Sequence, residues 1–241
     1  MSGRAGSKRR LGAPLSGLLG AAAVVQCAPA SASHVPAVCE LLSLRRRLAP
    51  GPAVALTFDD GPHAEGTAQV LALLERHGAR ATFFLVGEQV RRLPSLAREI
   101  ADAGHGIGLH GNTHRCELRL TPAALAEDRA RGLEAIHAAT GVVPSIHRPP
   151  YGAASGPGIV LARRAGLQTI LWSRWGRDWR AAATAESVVG DVTRRGPLER
   201  DIVLLHDADH YAAPGSFRAT VGALPRILER CAEQRLATVA L

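Results

Sequence analysis

Short continuous apolar runs alternate along the chain with longer stretches in which apolar residues recur every three or four positions. The runs at 53–58, 81–86, 106–110, 145–149, 168–173, 201–207 and 237–241 have the length of buried strands. The intervals carry helical periodicity at 67–77, 88–103 with a break at Pro94, 122–140, 159–165, 185–195 and 220–233. Gly78 supplies one helix stop, and Thr121 with Pro122 supplies an N-cap and a first helical position. Strands that alternate with helices predict a parallel sheet, and the number of units predicts a closed or nearly closed α/β barrel. At 241 residues the chain has the size of one such domain, assigned to 53–241.

In barrels of this kind the reacting groups sit at the C-terminal ends of the strands. Polar residues that could react fall at those ends: Asp59 and Asp60, His110, Arg148, Ser173, then His206 and Asp207.

Residues ahead of the barrel read differently. Arg4, Lys8, Arg9 and Arg10 precede the mostly apolar run 11–25, and Ala30-Ser31-Ala32 has a small-x-small form. Basic, apolar and small-residue segments in that order predict a secretory leader over 1–32, with export to the medium or cell envelope; a disordered leader on a cytoplasmic protein is the alternative. The apolar run, interrupted by Pro14, is shorter than the ~20 residues of a bilayer span. Residues 33–52 read as a linker holding a short helix at 38–48 that ends in Arg45-Arg46-Arg47.

Composition narrows the function classes. The net charge of +8 is dispersed arginine, with no basic run interleaved with aromatics, so nucleic acid is not the expected partner. No protein partner is indicated. Cys27, Cys39, Cys116 and Cys231 show no CxxC spacing, which argues against a structural zinc cluster or a thioredoxin-type motif and favours isolated thiols over a disulfide.

The chemistry centres on Thr57-Phe58-Asp59-Asp60-Gly61-Pro62. Two adjacent carboxylates at a strand end repel unless a cation neutralises them. His110 and His114 stand four apart; if that segment turns helically both rings face one side, and with Asp60 they make a two-His-one-carboxylate site for a divalent metal, zinc first. Arg148-Pro149-Pro150-Tyr151-Gly152 is stiff; it either forks Arg148 onto Asp59 and aims the Tyr151 amide at an oxyanion, or is a Pro-rich loop with a surface arginine. The run 202–205 delivers His206 to the same face as a candidate general acid.

These stretches, together with 172–179 and 204–207, resemble the five ordered motifs of polysaccharide deacetylases, the NodB-homology or carbohydrate esterase family 4 group. The resemblance spans about 53–241. It implies a distorted (β/α)7 barrel and metal-dependent removal of acetyl groups from N-acetylglucosamine polymers such as peptidoglycan or chitin. An acetylxylan-type O-deacetylase and a non-catalytic carbohydrate-binding relative are the alternatives. It further implies Asp59 as general base, Asp60, His110 and His114 as metal ligands, Arg148 orienting the base, Tyr151 giving the oxyanion amide, and His206 as general acid. Leu205 and Trp179 would line the pocket for the acetyl methyl. The family's fourth motif begins with an Asp expected to pair with the catalytic His, and Trp175 stands in its place. Either Asp178 or another acid takes that role, or His206 is a weaker acid than usual.

Overall fold

The structure, a computed structural model, describes residue 20 and residues 23–241. Most of the basic and apolar parts of the expected leader therefore lie outside the described residues.

Strands β1 (Ala53–Asp59), β2 (Thr82–Leu85), β3 (Gly106–Leu109), β4 (Ile146–His147), β5 (Gln168–Thr169), β6 (Arg174–Trp175) and β7 (Ile202–His206) form one curled parallel sheet. Their order is β5-β4-β3-β2-β1-β7-β6, and β8 (Ala237–Thr238) pairs with the start of β1. Helices α1 (Pro36–Leu41), α2 (Gly66–Arg76), α3 (Gly87–Arg92), α4 (Pro94–Asp102), α5 (Pro122–Thr140), α6 (Gly156–Arg164), α7 (Ala185–Thr193) and α8 (Phe217–Glu233) complete the domain. This is the distorted (β/α) barrel expected. Pro94 does divide two helices, and the Thr121 hydroxyl caps α5 by accepting the Ala124 N–H.

Alternation along the strands sorts side chains into two layers. On β1, Val54, Leu56 and Phe58 join the outer core beneath the helices, while Ala55, Thr57 and Asp59 face inward. On β7, Val203 and Leu205 face outward, and Ile202, Leu204 and His206 face inward. The register pairs Asp59 with His206 across adjacent strands. Both inward rows therefore end at one mouth.

Two expectations need correction. The apolar run at 168–173 splits: β5 stops at Thr169, and a further strand, β6, follows at Arg174. The helix expected at 38–48 ends at Leu41, after which residues 44–48 run extended. Arg45 N–H donates to the Thr169 carbonyl, Leu171 N–H donates to that of Arg45, and Arg47 bridges to Asp201. Strands β5 and β6 are the two ends of the sheet and do not pair, so this segment satisfies backbone groups that the gap leaves open. Cys39, Leu44 and Leu48 are buried against the inner layer, along with Ala32. Residues 44–48 thus cover the gap between the sheet's two ends, anchored by Cys39, Leu44 and Leu48.

All four cysteines are free thiols. Among the described residues no helix is long and apolar enough to cross a membrane.

Candidate active site

Strand β1 ends in a carboxylate pair that points two ways. Asp59 continues the inward row, whereas Asp60 adopts the left-handed conformation (φ 78°), which costs a non-glycine residue about 1–2 kcal/mol. That turn sends Asp60 sideways, toward the loop after β3. Behind the turn lies Asp207, buried with its carboxylate against the Thr67 hydroxyl. Desolvation raises its pKa to about 7. A Cβ on Gly61 would stand 2.6 Å from its Oδ2, so glycine is required for that packing. Asp207 braces the loop from below.

Arg148, fully buried at the end of β4, donates from one terminal nitrogen to Asp59 Oδ1 at 2.6 Å and to Thr57 Oγ1 at 2.8 Å. Its remaining nitrogens reach the carbonyls of Ile170 and Leu171 at 3.3 Å each, and its plane lies 4.1 Å over the Phe84 ring. Asp59 is therefore held end-on by one nitrogen, not by the two-pronged fork. The other Asp59 oxygen stays directed at the cavity, 3.8 Å from His110 Nε2.

Asp60 Oδ1 lies 3.4 Å from His110 Nε2 and 3.2 Å from His114 Nε2. One donor atom from each residue fits within 4.8 Å of the others. The 110–114 segment is a bend, not a helical turn. Gly111 takes φ 82°, and Asp128 accepts the N–H groups of Asn112 and Thr113 at 2.8 and 3.1 Å, folding His114 back beside His110. His110 Nδ1 lies 2.8 Å from the Arg148 carbonyl, an N–H donation that leaves the Nε2 lone pair facing Asp60. Asp60 Oδ1 is buried and has no hydrogen-bond donor. A buried, anionic, undonated oxygen facing two imidazole nitrogens fits a divalent cation.

Across the cavity, His206 Nδ1 is 2.8 Å from Asp178 Oδ1, and Asp178 Oδ2 accepts the His206 backbone N–H at 2.6 Å. Asp178 is buried and also takes the Thr220 hydroxyl. Burial alone would lower the His206 pKa; Asp178, then Asp60 and Asp59, raise it to about 10. The acid left open by Trp175 is thus found in Asp178.

Asp59, Asp60, His110, His114, Tyr151, Trp179 and His206 line one cavity of about 360 Å³. Tyr151, itself left-handed (φ 61°), stands 63% exposed on the rim, with its ring edge-on to His114. Leu205 does not reach the cavity; it is in the outer core, and Leu204 takes its place. The cause is strand alternation, since the residue two before His206 shares its face. Ser173 also turns away, donating to Asp201.

Several lining residues escaped sequence reading. Tyr211 stacks on His114 at 4.2 Å, its hydroxyl held by Glu88 and Gln89. His34, from the segment before the barrel, sits edge-on to Trp175, which itself meets Trp172 and Trp179. Alternation would have found Leu204; nothing local marks His34 or Tyr211.

The family model described as polysaccharide deacetylase matches residues 47–170. A peptidoglycan-N-acetylglucosamine deacetylase of Bacillus cereus is 38% identical over 185 residues, covering 75% of this chain and 82% of that protein. A chitooligosaccharide deacetylase of a Bradyrhizobium species is 35% identical over 178 residues, covering 72% and 78%. Among solved structures, a family 4 carbohydrate esterase from Streptomyces lividans, in complex with acetate, superposes with a TM-score of 0.69 at 32% identity. That match covers 79% of this chain and 93% of the esterase.

Proposed function

Because the chain belongs to the polysaccharide deacetylase family, we propose that it hydrolyses the N-acetyl groups of an N-acetylglucosamine polymer, with peptidoglycan as the first candidate substrate. The observation that carries this reading is a single cavity holding two differently tuned halves. On one side stand the Asp60–His110–His114 cluster and Asp59 with its arginine; on the other stands His206 with its aspartate.

The roles follow from what each group can do. Asp60, His110 and His114 would hold a divalent metal, zinc being favoured by the imidazoles. Bound there, the metal supplies Lewis acidity, polarising an amide carbonyl and acidifying a water. Asp59, fixed through Oδ1 by Arg148, keeps Oδ2 free to accept the proton of the attacking water. His206, kept protonated by Asp178, gives its proton to the departing amine. An amine is a poor leaving group until protonated, which is why an acid with a raised pKa suits an amide better than an ester. The Tyr151 backbone amide is assigned to the oxyanion, and Trp179 with Leu204 to the acetyl methyl.

A cell-wall substrate agrees with the leader-like order of segments at the N-terminus, and we propose that the protein is exported, to the medium or the cell envelope. The test is acetate release from peptidoglycan, chitooligosaccharide and acetylxylan, each with and without chelator. Chelator-sensitive release from the first two supports the reading. Release from acetylxylan alone, or undiminished release under chelation, overturns it.

A further inference from the structure

A second recess, of about 650 Å³, opens at the other end of the strands. His206 ends β7 at the catalytic mouth, whereas Asp201 immediately precedes β7 and lines this recess. On β6 the two openings lie on opposite faces, Trp175 lining the catalytic cavity and Arg174 the recess.

Six guanidinium groups line it: Arg45, Arg46, Arg47, Arg174, Arg195 and Arg200. The acids there are Glu40 and Asp201. Asp201 is already engaged by Arg47 at 2.6 Å and by Arg174. Arg174 is further fixed by the carbonyls of Val192 and Pro197. Among the described residues, Arg45, Arg46, Arg195 and Arg200 have no carboxylate within ion-pair distance; Nε of Arg46 is buried with no hydrogen-bond partner at all.

The backbone holds these groups in place. Arg45 is tied to Thr169 and Leu171 by two backbone bonds. Arg200 is kept left-handed (φ 66°) by its N–H on the Ala53 carbonyl and its carbonyl on the Leu48 N–H. That conformation is unfavourable for a non-glycine residue, and it turns the side chain into the arginine cluster. Six arginines against two carboxylates leave the recess a formal excess of four positive charges, which repel one another. A phosphate group matches several guanidinium forks at once.

We propose that this recess binds phosphodiester groups of a linear polyol-phosphate polymer, docking the enzyme while the separate catalytic mouth stays open. The recess is larger than one phosphate, leaving room for the groups on either side of it.

The test titrates the full chain with a short poly(glycerol phosphate) and with inorganic phosphate, by calorimetry at roughly physiological salt. Binding of the polymer, tighter than inorganic phosphate, is expected, weakened about tenfold by Arg46→Gln and by Arg200→Gln. Arg195→Gln, at an exposed side chain, should weaken it without changing the melting temperature and so guards against misfolding of the other two. The proposal fails if the polymer gives no binding up to about 10 mM. It fails equally if all three variants bind like the parent, if oligoglutamate of equal charge binds as tightly, or if only anionic phospholipid vesicles bind.

Discussion

Asp178 grips His206 at two points, Oδ1 against the imidazole Nδ1 at 2.8 Å and Oδ2 against the backbone N–H at 2.6 Å. The contact fixes both the ring's orientation and its charge. Because the raised pKa of about 10 keeps the ring protonated, the acid function is present at neutral pH and lost only as pH climbs through that value. Asp178→Asn removes the negative charge in direct contact with the ring. The alkaline limb of kcat against pH should move down by at least one pH unit, with kcat at pH 7.5 reduced by about 10²-fold. An unmoved alkaline limb would show that His206 is not the acid.

The same pair bears on stability. A histidine whose pKa rises on folding contributes stability that is complete below its unfolded pKa of about 6.5 and disappears as pH passes through about 10. The parent should therefore lose melting temperature between those limits faster than Asp178→Asn does, measured by scanning calorimetry.

Asp59 and Asp60 are neighbours with separable duties, and metal content tells them apart. Asp59→Asn should retain bound metal, counted by elemental analysis, while kcat falls by about 10²–10⁴-fold. His110→Ala should lose the metal itself, because it removes one of three ligands. If Asp59→Asn keeps full turnover, the base lies elsewhere.

Much of this arrangement was legible because the barrel concentrates reactive groups at strand ends, and the dicarboxylate, the paired histidines and Arg148 all stand there. What was not legible came from two sources. Local readings misjudged backbone shape: His114 joins His110 through a bend pinned by Asp128, sixteen residues from Asn112, and no helical spacing encodes that. The 33–52 segment reads as a linker because the Arg45-Arg46-Arg47 run suggests a solvated face. Its work is done by Leu44, Leu48 and backbone bonds to residues more than a hundred positions away. His34 enters the cavity by the same route.

Arg148 is a buried cation whose partner is a candidate catalytic group, so activity and stability fall together when it is altered. Arg148→Met leaves Asp59 buried and unpaired, at a cost of about 3–5 kcal/mol by chemical denaturation. Arg148→Lys keeps the charge but cannot serve Thr57, Ile170 and Leu171 together. It should retain more stability than Arg148→Met while still losing at least tenfold in kcat. Equal stability of the two variants would mean that the charge contributes nothing.

Leu204 and Leu205 are adjacent, alike in chemistry and buried, yet they face opposite layers. Leu205 packs beside Val188 in the outer core, with its Cδ2 2.6 Å from where a Cβ on Gly176 would lie. Leu205→Ala should therefore cost about 2–5 kcal/mol by denaturant titration, with KM for a chitooligosaccharide near the parent's. Leu204 looks into the cavity beside Trp179, where its loss enlarges the space for an acetyl methyl. Leu204→Ala should lower kcat/KM for the acetyl substrate by about 10–200-fold, the range one lost apolar contact can supply, and should narrow the gap between N-acetyl and bulkier N-propionyl substrates. If Leu205→Ala changes acyl preference and Leu204→Ala does not, the inward and outward faces of β7 have been assigned the wrong way round.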